Sequence, residues 1–209
     1  TTSTWNASNL CYATSDKIDG PYEWKGALIY SGFTSETFGE TDVAEYVDEE
    51  EAKDRYIKKS NEYNFNKFPN AIDPTVLYDE EGRLWMVYGS WSGGMYLLEL
   101  DKQTGEVIHP EADEEKRVDP YFGKRLLGGN HSSIEAPYIL YDEQSGYYYL
   151  FVSYGGLVRE GGYQIRVFRS ETIDGDYVDM NGEFPLDTTN PEHYPYGLKL
   201  SGSYFLPSF

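Results

Sequence analysis

The chain has 209 residues and a formal net charge of −19, from 36 acidic and 17 basic side chains. This charge argues against nucleic acid or an anionic membrane as a partner, because either would be repelled, and no apolar run approaches the length of a membrane span. Aromatic residues reach 17%, with 21 Tyr and 21 Gly, which favours short strands and tight turns. Cys11 has no second cysteine to pair with, so packing must hold the fold together.

The first predicted element is a β-hairpin near the amino terminus. Residues 13–22 (ATSDKIDGPY) match residues 168–177 (FRSETIDGDY) without a gap. Each stretch combines a strand end, a turn containing Asp-Gly and an aromatic residue that opens the next strand. We therefore predict that residues 1–30 close one structural unit and that the same hairpin recurs later in the chain.

Residues 35–68 are predicted to form an insertion that contains a short helix. The helical candidate lies between Thr41 and Tyr63, and Thr41 is a suitable cap. Three pairs of opposite charge stand at i,i+4 spacing, where they support a helix. They are Glu49–Lys53, Glu51–Arg55 and Asp54–Lys58. A solvated surface helix is the favoured role, and a lid or a partner-binding element is the alternative.

Two later segments repeat one pattern of strands at a period of roughly 60 residues, which is typical of repeat architectures. Four short antiparallel strands per unit form the blade of a β-propeller. We therefore predict an all-β fold with blades at 70–115 and 134–185 and the start of a further blade at 197–209. Residues 105–130 and 181–196 are interpreted as long surface loops. Because a ring of blades must close on itself, the chain is expected to be part of a longer protein.

Each repeat opens with a carboxylate beside a proline, Asp73 in the first and Glu135 in the second. The repeat predicts that both carboxylates lie at one cleft, and Pro74 biases Asp73 towards an extended backbone. Glycoside hydrolysis uses two carboxyl groups, one of which donates a proton to the leaving oxygen. The alternatives are a turn cap or an arginine partner for Asp73, and an exposed loop position for Glu135.

Trp91 lies just past a strand end in residues 89–94 (GSWSGG). It is interpreted as a platform for a sugar ring, and a place in the core is the alternative. His131 precedes the Glu135 turn and is a candidate to hydrogen-bond either a sugar hydroxyl or its own loop. The three histidines lack paired ligand spacing, which argues against zinc, and neither a nucleotide-binding nor a serine-hydrolase motif occurs.

At these residues the chain resembles glycoside hydrolase family 43, and within it the endo-acting α-1,5-L-arabinanases. The matching stretches, in order, are 70–74 (NAIDP), 84–94 (LWMVYGSWSGG), 128–138 (GGNHSSIEAPY), 147–157 (YYYLFVSYGGL) and 162–170 (GYQIRVFRS). The resemblance implies a five-bladed β-propeller of four-stranded antiparallel blades, of which about three belong to this chain. It also implies hydrolysis with inversion.

By position, the resemblance implies that Glu135 is the general acid and that Asp73 tunes and orients it. The residues implied to bind the furanose rings are Asn70, Trp91, Ser92, His131 and Ser133. The general base is expected outside this chain, because Asp16 and Asp19 lie in a turn at the outer edge. The isolated chain is therefore expected to be inactive and the complete protein active. No cofactor is expected in this chain, and a central calcium ion is expected in the complete propeller.

The implied substrate is a plant cell-wall polysaccharide, either arabinan or arabinoxylan oligosaccharides. A secreted, extracellular enzyme is expected, with its signal peptide outside this chain. Two alternatives stay open. One is an exo-acting β-xylosidase or α-L-arabinofuranosidase of the same family, and the other is a non-catalytic carbohydrate-binding propeller.

Overall fold

The fold is built from antiparallel strands, and the computed structural model describes residues 7–158 and 161–202. The strands are β1 (Asn9–Thr14), β2 (Glu23–Tyr30), β3 (Thr75–Tyr78), β4 (Leu84–Tyr88), β5 (Met95–Leu100), β6 (Val107–Ile108), β7 (Val118–Asp119), β8 (Gly123–Leu127), β9 (Ile134–Asp142), β10 (Tyr147–Tyr154), β11 (Gln164–Ser170) and β12 (Leu198–Gly202). One α-helix, α1 (Glu49–Tyr56), follows two 3₁₀ helices (Phe38–Glu40 and Val43–Glu45). Every pair of these strands is antiparallel, which confirms the predicted all-β class.

The amino-terminal hairpin consists of β1 and β2, which form a two-stranded sheet. Asp16 and Asp19 are exposed in the turn between them. The matching stretch after β11 also reverses direction, because Arg169 and Val178 form an antiparallel bridge. Both predicted hairpins are therefore confirmed.

The first large sheet has the strand order β3-β4-β5-β8-β7, and β6 also pairs with β5. Side chains of a strand alternate between its two faces. Met86 and Tyr88 of β4 accordingly lie in one hydrophobic core, and Trp85 and Val87 lie in the other. The strand is buried on both sides, so it has an almost continuous apolar sequence.

The prediction that residues 105–130 form a surface loop is wrong in part, since β6, β7 and β8 lie within this range. β8 pairs with β5 from Met95 opposite Leu127 to Leu97 opposite Lys124. Its sequence, GKRLL, has two partly exposed basic residues after the buried Gly123 and ends with two buried leucines. This charged start conceals a strand whose pairing is decided by a distant partner.

The second large sheet has the order β9-β10-β11-β12. The even-numbered residues of β10 from Tyr148 to Tyr154 are buried, which is the alternation expected of a half-buried strand. β12 pairs with β11, so it completes this sheet as a fourth strand. The prediction that 197–209 begins a further blade is therefore wrong for Leu198–Gly202, because the free edge of β11 takes this segment as its partner. Residues 203–209 lie outside the described residues.

The insertion contains a shorter helix than predicted. Helix α1 begins after Asp48, whose carboxylate accepts hydrogen bonds from the N–H groups of Glu50 and Glu51, so Thr41 is not its cap. The helix ends at Tyr56 because Ile57 is extended and bridges to Tyr63.

Two of the three predicted charge pairs form on α1. Glu49–Lys53 is 2.5 Å long and Glu51–Arg55 is 2.8 Å long. Lys58 lies beyond the helix end, and its ammonium group lies 3.8 Å from the centroid of the Phe65 ring. The opposite face of the helix is not solvated, since Ala52 and Tyr56 are fully buried.

Asp119 connects the insertion to the first sheet. Its Oδ1 accepts a hydrogen bond from the Tyr56 hydroxyl at 2.9 Å and from the N–H groups of Tyr121 and Phe122 at 3.0 and 2.8 Å. The Arg55 guanidinium lies 3.5 Å from Oδ2. Because Asp119 and Tyr56 are both buried, these bonds fix the insertion as a packed part of the fold.

No helix among the described residues is long and apolar enough to cross a membrane.

Tyr56→Phe is expected to lower the free energy of unfolding by about 1–3 kcal/mol, because a buried carboxylate loses one hydrogen-bond donor. Thermal unfolding of the full-length protein measures the change. Tyr46→Phe is the control, since the Tyr46 side chain is 45% exposed. Equal melting temperatures for the two variants would contradict the role of this bond.

Candidate active site

The site is built where the end of β4 meets the start of β9. Ser90 and Glu135 form an antiparallel bridge, and the Trp91 N–H donates to the Ile134 carbonyl at 2.8 Å. The two large sheets are thereby joined at Glu135. The loop after β4 and the strand that carries Glu135 cannot move independently.

The Glu135 carboxylate is half-buried and accepts three hydrogen bonds. Its Oε2 accepts from the Trp91 indole N–H at 2.9 Å and from the Ser90 hydroxyl at 3.3 Å. Its Oε1 accepts from the Tyr163 hydroxyl at 2.7 Å. Tyr163 also hydrogen-bonds Ser153, which pairs with Glu135 across β9 and β10. Three donors from two segments therefore fix both carboxylate oxygens.

Asp73 lies beside this carboxylate. The Ile72 carbonyl accepts from the Gly89 N–H at 2.9 Å, and Asp73 Oδ2 accepts from the Ala136 N–H at 3.2 Å. The structure thus brings Asp73 and Glu135 together, as the repeat predicts. The predicted extended backbone at Asp73 is wrong, because its φ of 55° is left-handed. Its neighbour Ala136, with φ 54°, is left-handed as well, and the two meet through the hydrogen bond.

The pKa of Asp73 is raised above its ordinary value. Partial removal from water is the main cause, the Ala136 N–H opposes it, and the negative charge of Glu135 adds to it. Part of the side chain nevertheless remains exposed. Both burial and the negative charge of Glu135 therefore favour the protonated form of Asp73.

Trp91 and His131 form the wall of the site next to Glu135. Their ring centroids are 5.2 Å apart, and Phe65 from the insertion lies 5.5 Å from His131. The His131 N–H donates to the Ser92 carbonyl at 2.9 Å, and the Ser92 N–H donates to His131 Nδ1 at 3.3 Å. Burial lowers the pKa of His131, so the ring is neutral at pH 7. Ser92 is fully buried and supports the loop from behind.

The other two predicted residues are also mostly buried. Asn70 is 8% exposed, and within the described residues its Oδ1 has no hydrogen-bond partner. Ser133 is 2% exposed, and its hydroxyl contacts Asn190 Oδ1 at 3.0 Å and His193 Nε2 at 3.2 Å. Asn70 retains a free acceptor, whereas the Ser133 hydroxyl is occupied by protein partners.

Sequence reasoning missed Ser90 and Tyr163 as partners of the carboxylate. Ser90 precedes Trp91 directly, so the bridge to Glu135 brings it into place. Tyr163 stands between Gly162 and β11, and only the pairing of β9, β10 and β11 brings it to Glu135. A tyrosine next to a glycine turn is a weak signal in a chain with 21 tyrosines.

The part of the chain that the structure describes contains no group of three or more His, Cys, Asp or Glu residues able to hold a metal ion. The central calcium ion expected in the complete propeller stays a prediction, and the acidic groups of this site are Asp73 and Glu135. The chemistry that they can perform is proton transfer between carboxyl groups and a bound molecule.

Comparison with known proteins identifies relatives over most of the chain. The family model described as glycosyl hydrolases family 43 matches residues 28–199. The chain is 40% identical over 205 residues to extracellular endo-alpha-(1->5)-L-arabinanase 2 of Bacillus subtilis (strain 168), covering 94% of this chain and 38% of that protein. It is 41% identical over 201 residues to the extracellular endo-alpha-(1->5)-L-arabinanase of Thermotoga petrophila, covering 95% and 37%.

Comparison with solved structures identifies relatives of the same kind. The endo-1,5-alpha-L-arabinanase from Thermotoga petrophila RKU-1 matches with a TM-score of 0.75 at 41% identity, over 93% of this chain and 38% of that one. The family 43 YxiA protein from Bacillus licheniformis matches with a TM-score of 0.73 at 39% identity, over 93% and 39%. The chain thus spans 37–38% of the length of the two curated relatives.

Asp73→Asn is expected to make the protein at least as stable as the wild type at pH 7. The folded pKa of Asp73 is raised, so folding disfavours the ionised form, and this destabilising contribution is present above the folded pKa. Asparagine keeps an oxygen for the Ala136 N–H and carries no charge. The gain in melting temperature should shrink as the pH falls through the pKa of Asp73.

Asp101→Asn is the control of opposite sign. The N–H groups of Thr104 and Gln103 lower the pKa of Asp101, so its ionised form stabilises the fold at pH 7 and the variant should melt earlier. A lower melting temperature for Asp73→Asn than for the wild type at pH 7 would refute the conclusion that folding disfavours the ionised form of Asp73.

Proposed function

The chain belongs to glycosyl hydrolases family 43, and we propose that the protein containing it cleaves internal α-1,5-linked L-arabinofuranosyl bonds of arabinan. The proposal draws its substrate from the names of the two curated relatives. The observation that carries the chemistry is the proximity of Asp73 and Glu135, because the Asp73 carboxylate accepts a hydrogen bond at 3.2 Å from the N–H of Ala136, the residue after Glu135.

Glu135 is the general acid in this proposal. Its carboxyl proton passes to the glycosidic oxygen as the bond from that oxygen to the anomeric carbon breaks, and a water molecule adds to the anomeric carbon with inversion. The water gives its proton to a general base, which we do not assign to a described residue. Asp73 tunes and orients this acid in the proposal. Its hydrogen bond from the Ala136 N–H also fixes the start of β9.

The sugar rings contact the open side of the site. Trp91 is partly exposed and lies beside His131, so we assign these two residues to a furanose subsite. Asn70 is buried behind this surface and its Oδ1 has no partner among the described residues, so a sugar hydroxyl that reached it would complete its hydrogen bonding. Ser92 and Ser133 support the loops, because both are buried behind this surface.

The complete protein is proposed to be a five-bladed propeller that acts outside the cell. Support for the location comes from the relatives, whose names describe them as extracellular. Support for the propeller comes from the two packed antiparallel sheets and from the family. Arabinoxylan oligosaccharides as substrates and a calcium ion in the central channel remain predictions.

Glu135→Gln in the full-length protein is expected to lower turnover of linear arabinan by about 10²–10⁴-fold, because an amide cannot donate the proton. Binding of arabino-oligosaccharides should persist. The wild type should release oligosaccharides of mixed length at early times, as an endo-acting enzyme does. Product sizes and calorimetric binding measure both effects.

Glu143→Gln is the matched control, since Glu143 is exposed in the turn after β9. A Glu135→Gln variant as active as this control would refute the role of Glu135. A wild-type protein that binds arabinan without cleaving it would instead support a carbohydrate-binding propeller. Release of arabinose alone would support an exo-acting enzyme.

Tyr163→Phe is expected to lower kcat/KM on arabinan by about tenfold, because a hydrogen bond to a charged group contributes roughly 1.5–3 kcal/mol. Without this donor, Glu135 Oε1 loses the hydrogen bond that holds it in place. Steady-state kinetics on linear arabinan measure the change. Tyr138→Phe is the control, as Tyr138 is 51% exposed, and equal kcat/KM values for the two variants would count against the Tyr163 bond.

A further inference from the structure

The segment 185–193 runs alongside the loop that leads into Glu135, and the function proposed above leaves it without a role. We propose that this segment is a brace and that Asn190 is a positioning residue for the general acid, acting through Ser133. The inference rests on the proposed hydrolysis, since it assigns Asn190 to the proton-donating step. Asn190 contacts Ser133, which lies two residues before Glu135.

The brace begins with backbone pairing. The Gly128 N–H donates to the Pro185 carbonyl at 2.8 Å, and the Asp187 N–H donates back to the Gly128 carbonyl at 3.0 Å. Gly128 and Leu186 thus form a bridge. Gly128 begins the loop 128–133 that leads into Glu135, and these bonds hold it as they hold a residue within a sheet.

An ion pair secures the next two residues of the loop. Arg125 donates two hydrogen bonds of 2.8 Å to the Asp187 carboxylate, a bidentate geometry that is stronger than a single contact. A Cβ atom at Gly129 would lie 2.6 Å from Asp187 Oδ1, so the loop fits closely against this pair. The Asn130 side-chain amide donates to the Asp187 carbonyl.

Asn190 holds the end of the loop. Its Oδ1 accepts from the Ser133 N–H at 3.1 Å and from the Ser133 hydroxyl at 3.0 Å. The hydroxyl has one hydrogen, which Asn190 takes, so His193 Nε2 is the donor in its 3.2 Å contact with Ser133 Oγ. His193 is fully buried, and its ring lies 4.9 Å from Tyr154. Residues of the brace therefore orient both the N–H and the hydroxyl of Ser133.

Ser133 transmits this position to the acid over two residues. The Ser133 carbonyl accepts from the Gly155 N–H at 2.9 Å, and the Ile134 carbonyl accepts from the Trp91 N–H at 2.8 Å. Successive backbone hydrogen bonds thus hold residues 133–135. Loss of the Asn190 bonds would release Ser133 and let the start of β9 shift. A displacement of about 1 Å at a catalytic group costs up to roughly 10²-fold in rate.

The test compares substrates that need the acid with substrates that do not. Natural arabinan has a sugar alkoxide leaving group, which must be protonated, whereas dinitrophenolate leaves without a proton. In the full-length protein, Asn190→Ala should lower kcat on linear arabinan by about tenfold or more. Its kcat on a dinitrophenyl arabino-oligoside should stay within about twofold, and KM should change little. Asn190→Asp should restore activity on arabinan, because a carboxylate oxygen still accepts both Ser133 bonds.

Asn181→Ala is the matched control, since Asn181 is exposed and lies at a turn in the segment before the brace. Equal losses on both substrates, with a lower melting temperature, would reduce Asn190 to a structural residue and overturn the proposal. Wild-type kinetics in Asn190→Ala would overturn it too.

A structure of the Asn190→Ala variant gives an independent readout. The Glu135 carboxylate should move relative to the Trp91 indole N–H, and an unchanged position would contradict the proposal. If the wild type cleaves neither substrate, the proposed function fails, and this measurement still decides whether Asn190 positions Glu135.

Discussion

The junction between the two large sheets is the constraint on which the site depends. Ser90 lies opposite Glu135, and the Trp91 N–H donates to the Ile134 carbonyl across the same junction. Ser90 and Trp91 also hydrogen-bond the Glu135 carboxylate. The carboxylate therefore cannot move far without opening the contact between the sheets. Its geometry is set by the packing of two hydrophobic cores, which lie on opposite faces of β4 and β5.

Left-handed backbone is concentrated around the two acids. The residues there with positive φ and a side chain are Asp73, Trp91, Ser92, Asn130, His131 and Ala136. Each such residue costs about 1–2 kcal/mol, and it persists only where the surroundings determine it. The loops are correspondingly tight, since a Cβ atom at Gly94 would lie 2.1 Å from the Leu127 carbonyl oxygen. The stable sheets below the loops offset this strain, and the acids are held in one arrangement before a substrate binds.

The sequence predicts those features that depend on local pattern. Repeated strands and prolines place Asp73 and Glu135 at equivalent ends of neighbouring units, and the structure brings them together. Long-range pairing is less accessible. The edge partner of β11 and the strand at 123–127 are chosen by distant backbone groups, and the local sequence does not name them. The left-handed conformation of Asp73 has the same origin, because a hydrogen bond from the following unit overrides the local preference set by Pro74.

The insertion and the brace act on opposite sides of the same loop. On one side, the Asn130 N–H donates to the Asn66 carbonyl at 2.8 Å, and Phe65 lies against His131. On the other side, the segment 185–193 holds Gly128 to Ser133. A mobile lid would need an insertion that can leave this surface, yet α1 buries Ala52 and Tyr56 in the core beneath it. The insertion is therefore a fixed wall of the site and not a mobile lid.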